Sequence, residues 1–179
     1  MASANKTTNL GLNLWDATDK PVRGDFNADN AALEARAKSA LLSKSTTQSL
    51  ADTTATDATF PAAVEYGGSG TSALLNGNTG FIIPAGYTDA VISACIQFEA
   101  DATKTGARRA ILYRIRTVPT PQTLGVSAVS MLPTGGTDRM TLSYSGPVKA
   151  GDTFKIKAYQ ASGGALNLTA DCCMSIKLG

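Results

Sequence analysis

The chain has 179 residues, 43% of them hydrophobic and 6% aromatic, with 16 Lys and Arg against 14 Asp and Glu. A chain of this length can bury a core without disulfide or metal staples, and its near-balanced charge excludes the strong basic excess of a general nucleic-acid binder. It contains no histidine, which removes Ser-His-Asp and Cys-His chemistry and most zinc enzymes.

Residues 1–70 carry 6 basic and 8 acidic residues and residues 71–179 carry 10 and 6. The opening MASANKTTNLGLNLWD lacks the apolar core of a secretory signal, and no apolar run is long enough to span a membrane. Leu10, Leu12, Trp15 and Phe26 form an apolar group with no local sheet to bury them. Such anchors suit docking onto another protein, although a contact within an oligomer would bury them equally.

Asp25 and Asn27 are good N-caps, and the Ala, Leu, Glu, Arg and Lys content from Ala28 to Lys44 predicts a helix over about 28–44. Heptad positions can be assigned, with Phe26, Leu33 and Ala40 at d and Asn30, Ala37 and Lys44 at a. This covers about two and a half heptads, short of a sustained signal, so a coiled coil and a lone surface helix both remain open. The stretch from 46 to 70, rich in Ser, Thr and Gly and ending in Glu65-Tyr66-Gly67-Gly68-Ser69-Gly70, reads as a spacer.

Residues 71–179 alternate in the manner of half-buried strands. Ile92, Ala94, Ile96 and Phe98 share one face; Arg108, Ala110, Leu112, Arg114 and Arg116 oppose Arg109, Ile111, Tyr113 and Ile115. Met140, Leu142 and Tyr144 form a third set, and Phe154, Ile156 and Ala158 a fourth with Lys155 and Lys157 opposite. From Leu166 to Leu178 the apolar residues fall on even positions throughout, as in one long strand. Turn clusters such as Asn76-Gly77-Asn78 and Ala150-Gly151-Asp152 punctuate these runs. The expected fold is mainly β, an antiparallel sandwich of jelly-roll type with a short N-terminal helix.

Two carboxylate pairs, Glu99 with Asp101 and Asp138 with Asp152, are the possible candidates for acid–base work, and solvated loop charge is the simpler reading of Glu99 and Asp101. Cys95, Cys172 and Cys173 show no CxxC spacing and read as free thiols. No cofactor or metal is expected. Arg108, Arg114, Arg116, Lys155 and Lys157 could form a surface for an anionic polymer; a solvated sheet face or salt bridges across a trimer interface are the competing reading. In Ala150-Gly151-Asp152, Gly151 suits a turn closed to other residues and Asp152 can accept hydrogen bonds from nearby amides.

Two segments have the look of known families. Thr7-Thr8-Asn9-Leu10-Gly11-Leu12 with Trp15, followed by Asp25-Phe26-Asn27-Ala28-Asp29-Asn30 at the start of a helix, resembles the N-terminus of phage and prophage tail-fibre-like proteins over residues 6–44. Phe81-Ile82-Ile83-Pro84-Ala85-Gly86-Tyr87 and the run Pro147 to Gln160 around Ala150-Gly151-Asp152 resemble the tumour-necrosis-factor-like and complement globular-head jelly rolls. The second resemblance implies a homotrimeric head. Together they imply a virion protein made in the host bacterial cytoplasm. Residues 1–45 would attach it to other virion proteins, 46–70 would act as spacer, and 71–179 would form a jelly-roll head. The expected function is adsorption to a bacterial surface glycan or protein as a tail fibre, with no catalysis, nucleic acid or membrane insertion. A capsid head fibre or decoration protein is the alternative, and a polysaccharide depolymerase ranks last.

Overall fold

The computed structural model describes residues 12–14, 22–36, 38–66, 74–116, 122–132 and 136–179, with backbone alone for 31–36 and 64–66. Helix α1 (Arg23–Arg36) is followed by strands β1 (Ser39–Ser43), β2 (Gln48–Leu50), β3 (Thr56–Asp57), β4 (Ala62–Tyr66), β5 (Gly80–Ile82) and β6 (Asp89–Phe98). Then come β7 (Arg108–Arg116), β8 (Gln122–Met131), β9 (Asp138–Pro147), β10 (Thr153–Gln160), β11 (Leu166–Leu168) and β12 (Cys173–Leu178).

The strands form two sheets, antiparallel at every pairing. In the larger sheet β6 carries β9 on one edge and β11 and β12, end to end, on the other. Beyond these lie β2 against β11, β1 against β12, and β4 against β1. In the smaller sheet β10 has β7 on one edge and β3 and β5 on the other, with β8 outside β7. The first strand of the sandwich thus lies beside the last, and the whole is a jelly-roll β-sandwich.

The core fills the space between the sheets through the alternate residues expected. Ile92, Ile96 and Phe98 of β6, Met140 and Leu142 of β9, and Leu166, Met174 and Ile176 face Leu112, Phe154, Ile156 and Ala158 of the smaller sheet, all buried. Period two puts one residue class on one face, which is why these strands are readable.

Three expectations need correction. The helix does not reach Lys44: it ends at Arg36, and Ser39-Ala40-Leu41-Leu42-Ser43 is β1, held between β12 and β4. Helix propensities among these residues differ by only about 0.2–0.7 kcal/mol each, whereas burying one side chain such as Leu42 contributes roughly 1.5–3 kcal/mol. Tertiary packing wins. The heptad assignment loses Ala40 and Lys44: Ala40 is in the core, and the Lys44 ammonium is buried, donating to Gln48 Oε1 at 3.1 Å and the Thr59 carbonyl at 2.8 Å.

Nor is 46–70 simply a spacer. Residues 48–66 supply β2, β3 and β4, so the sandwich begins at Ser39 rather than near residue 71. Finally, the even-position run is two strands. Leu168 faces Phe98 while Cys173 faces Cys95, so five steps along one chain oppose three along β6. Ala170 and Asp171 are turned out to solvent. The thiol of Cys172, on the core side, fills the gap by accepting a hydrogen bond from the Gln97 amide at 3.2 Å.

Candidate functional site

The five basic residues expected on one ligand surface separate onto two faces of the smaller sheet. Inward-facing residues of β7 include Arg108, Arg114 and Arg116, and each is engaged within the protein. Arg108 is fully buried, forms an ion pair with Asp138 of β9, donates to the Lys104 carbonyl at 3.3 Å, and lies 5.9 Å from the Phe98 ring centre. Burial lowers its guanidinium from the ordinary value, against the raising influence of Asp101 and Glu99. Arg114 donates to the Tyr144 hydroxyl at 3.4 Å and the Pro147 carbonyl at 3.3 Å. Arg116 grips Asp152 with two parallel hydrogen bonds of 2.8 and 2.6 Å. Arg108 is therefore corrected from a ligand contact to a tie within the sandwich, its even position turning it toward the interior, while Arg114 and Arg116 on the same face are tied to the sandwich and partly exposed.

Asp152 also accepts from the Lys149 amide at 3.0 Å, closing the turn that Gly151 enters at φ +83°. Burial acts to raise its carboxyl, but hydrogen bonds from Arg116 and Lys149 and the charges of Arg116 and Arg114 outweigh this and hold it below the usual carboxylate range. Of the other carboxylates considered, Glu99 accepts from the Asn167 amide and side chain at 2.8 and 3.0 Å. Asp101 accepts from the Thr103 hydroxyl and amide, at 2.6 and 2.9 Å, and these bonds lower its pKa. All four carboxylates thus have structural partners.

Lys155 and Lys157 do face outward. The outward side of the smaller sheet carries a shallow groove of about 560 Å³ lined by residues including Arg109, Ile111, Tyr113, Gly125, Ser127 and Lys157. It forms where the β7–β8 register shifts: Leu112 faces Ser127 but Tyr113 faces Gly125, leaving Val126 as an extra residue. Bulges of this kind bend a strand and re-aim its side chains. A Cβ on Gly125 would meet Ile111 Cγ2 at 3.6 Å, an ordinary contact, so the floor is open because glycine stands there.

The electrostatics of this face are ordered by Asp57. It accepts from the Tyr113 hydroxyl at 2.7 Å and lies 3.7 Å from the Lys155 ammonium. Burial, followed by the bond to Asp57 and its charge, pushes the Tyr113 phenol well up. Lys157 lies 5.1 Å from the Tyr113 ring centre. Asp57 thus offsets Lys155, while Arg109 and Lys157 keep their charge over the groove with no carboxylate within ion-pair distance among the described residues. Arg109 was missed as a site residue although its odd position, opposite Arg108, is the signal that places it outside.

At the N-terminus, Leu10 and Trp15 lie outside the described residues. Leu12 is half-buried and Phe26 is 51% exposed. Asn13 is bound to the helix, its amide and side chain both donating to Asp29 Oδ1 at 3.0 and 2.8 Å. The Asp25 carboxylate accepts from the Val22 amide at 3.0 Å. The Asp and Asn residues of this segment therefore knit 12–14 to the start of α1, and among the described residues α1 makes no extended contact with any strand.

No family model and no curated protein matches the chain. Among solved structures, that of Eiger TNF from S. frugiperda is similar at 14% identity, covering 80% of this chain and 93% of that one, with a TM-score of 0.46. The jelly-roll assignment rests on the strand order given above.

Proposed function

We propose that the protein is a phage virion component that adsorbs to the bacterial surface as a tail fibre or receptor-binding protein. It works by binding, without turnover. The observation carrying this reading is the division of the molecule into a hydrogen-bonded N-terminal unit and a sandwich with a cationic groove on its outward face. The N-terminal unit, with Leu12 and Phe26, would dock onto other virion proteins, and the head would associate as a homotrimer. Arg109 and Lys157 suit a surface glycan bearing phosphate or carboxylate groups, since an exposed guanidinium pairs with such anions in a forked geometry. The structural engagement of Glu99, Asp101, Asp138 and Asp152 supports binding over glycan cleavage.

Competition tests the reading. Purified protein at saturating concentration should slow adsorption of the parent phage, and the double variant Arg109→Glu with Lys157→Glu should not. Gly125→Leu, which fills the groove floor, should fail in the same way. Loss of competition by the native protein itself would sink the receptor-binding role and leave a capsid head fibre or decoration protein. Release of new reducing ends from host polysaccharide would instead establish a depolymerase.

A further inference from the structure

We propose that Cys95 and Cys173 are a paired dithiol on the outward face of the larger sheet, a modification site that a low-molecular-weight disulfide oxidises to an intramolecular bridge. The two residues are directly opposite in the antiparallel β6–β12 pairing. Residues so placed have Cα atoms about 4.5–5.5 Å apart, inside the range of about 4.4–6.8 Å that disulfides span. Both are free thiols and both are half-buried, so a small reagent can reach them. The register places Thr141 beside Cys95 and Ser43 beside Cys173, so the row across the sheet holds no bulky neighbour.

The third cysteine does not compete. Cys172 is 1% exposed on the core side, where its sulfur is occupied by the Gln97 amide and carbonyl at 3.2 and 3.5 Å. The chemistry balances as ordinary thiol–disulfide exchange. One thiolate attacks the small disulfide, releasing a thiolate and forming a mixed disulfide. The second thiolate then attacks the protein sulfur and expels the other half. Two protein thiols lose two protons and two electrons, and the reagent is reduced to two thiols. The bridge would fasten the first residue of β12 to β6 immediately beyond the two-residue bulge.

The test uses the full chain, incubated with excess oxidised glutathione, denatured, alkylated and weighed. The expected product carries one alkylated thiol, at Cys172, no retained glutathione, and a cross-linked peptide pair containing Cys95 and Cys173. Cys172→Ala should still form the bridge. Cys95→Ser should instead trap glutathione on Cys173. A stable glutathione adduct on the native chain, a Cys172–Cys173 link, or three alkylated thiols would each overturn the proposal.

Discussion

Arg108 is the largest fully buried side chain of the sandwich, and its charge decides what replacing it costs. Arg108→Ala leaves Asp138 buried without its cation, a situation that costs roughly 3–5 kcal/mol, to be read from urea unfolding. Arg108→Met combined with Asp138→Leu should recover most of that loss, because a well-packed apolar pair avoids the desolvation of both charges. Asp152 gives a pH-dependent counterpart. Its folded-state pKa lies below the unfolded value of about 3.9, so its contribution is complete above that value and is lost as pH falls through the lower folded one. Asp152→Asn should therefore flatten the acid limb of a stability–pH profile while lowering stability near neutrality. Sequence reading missed the inward role of these residues for a plain reason. Alternation correctly placed Arg108, Arg114 and Arg116 on one face with Ala110 and Leu112, but three charges on that face argued for solvent. The partners that reverse the argument lie 30 residues or more away in the chain.

At the scale of elements, the β11–β12 bulge depends on a sulfur doing a carbonyl's task. Cys172→Ala removes the acceptor of the buried Gln97 amide and should destabilise the protein by about 1–3 kcal/mol. Cys172→Ser, which restores an acceptor at shorter reach, should recover part of it in the same unfolding measurement. Four amphipathic strands were legible: β6, β9, β10 and β12 bury the faces their alternation marks, whereas β8, ten residues long with a largely exposed outer edge, was not expected. Nor were the short ones. β2 and β3 have three and two residues and include Gln48, Ser49, Thr56 and Asp57, too few and too polar to show a period. β1 was hidden differently, since Ala40, Leu41 and Leu42 favour a helix locally and become a strand only because β12 and β4 receive them.

Among the described residues the molecule divides at residue 38, and this makes a sharp expectation for truncation. Residues 38–179 should fold with the thermal midpoint of the full chain, measured by circular dichroism, because among the described residues α1 shares no extended contact with the sheets. Residues 71–179 should fail to fold cooperatively, having lost β1 to β4 and with them the neighbours of β10, β11 and β12. The groove was half legible at this scale. Lys155 and Lys157 were placed outward by alternation, but the opening beside them depends on the β7–β8 register shift at Val126, and register between strands leaves no mark in a single strand's periodicity.

The outturned residues Ala170 and Asp171 also bear on how this chain can change length. Because the bulge adds two residues, it leaves the parity of β12 untouched and every core residue from Met174 to Leu178 still points inward. Deleting one residue there would exchange the faces of the whole terminal strand, sending Met174, Ile176 and Leu178 to solvent. Removing both would restore a plain ladder. Insertions and deletions at this site should therefore survive only in even steps, so lineages of this fold would differ here by pairs of residues.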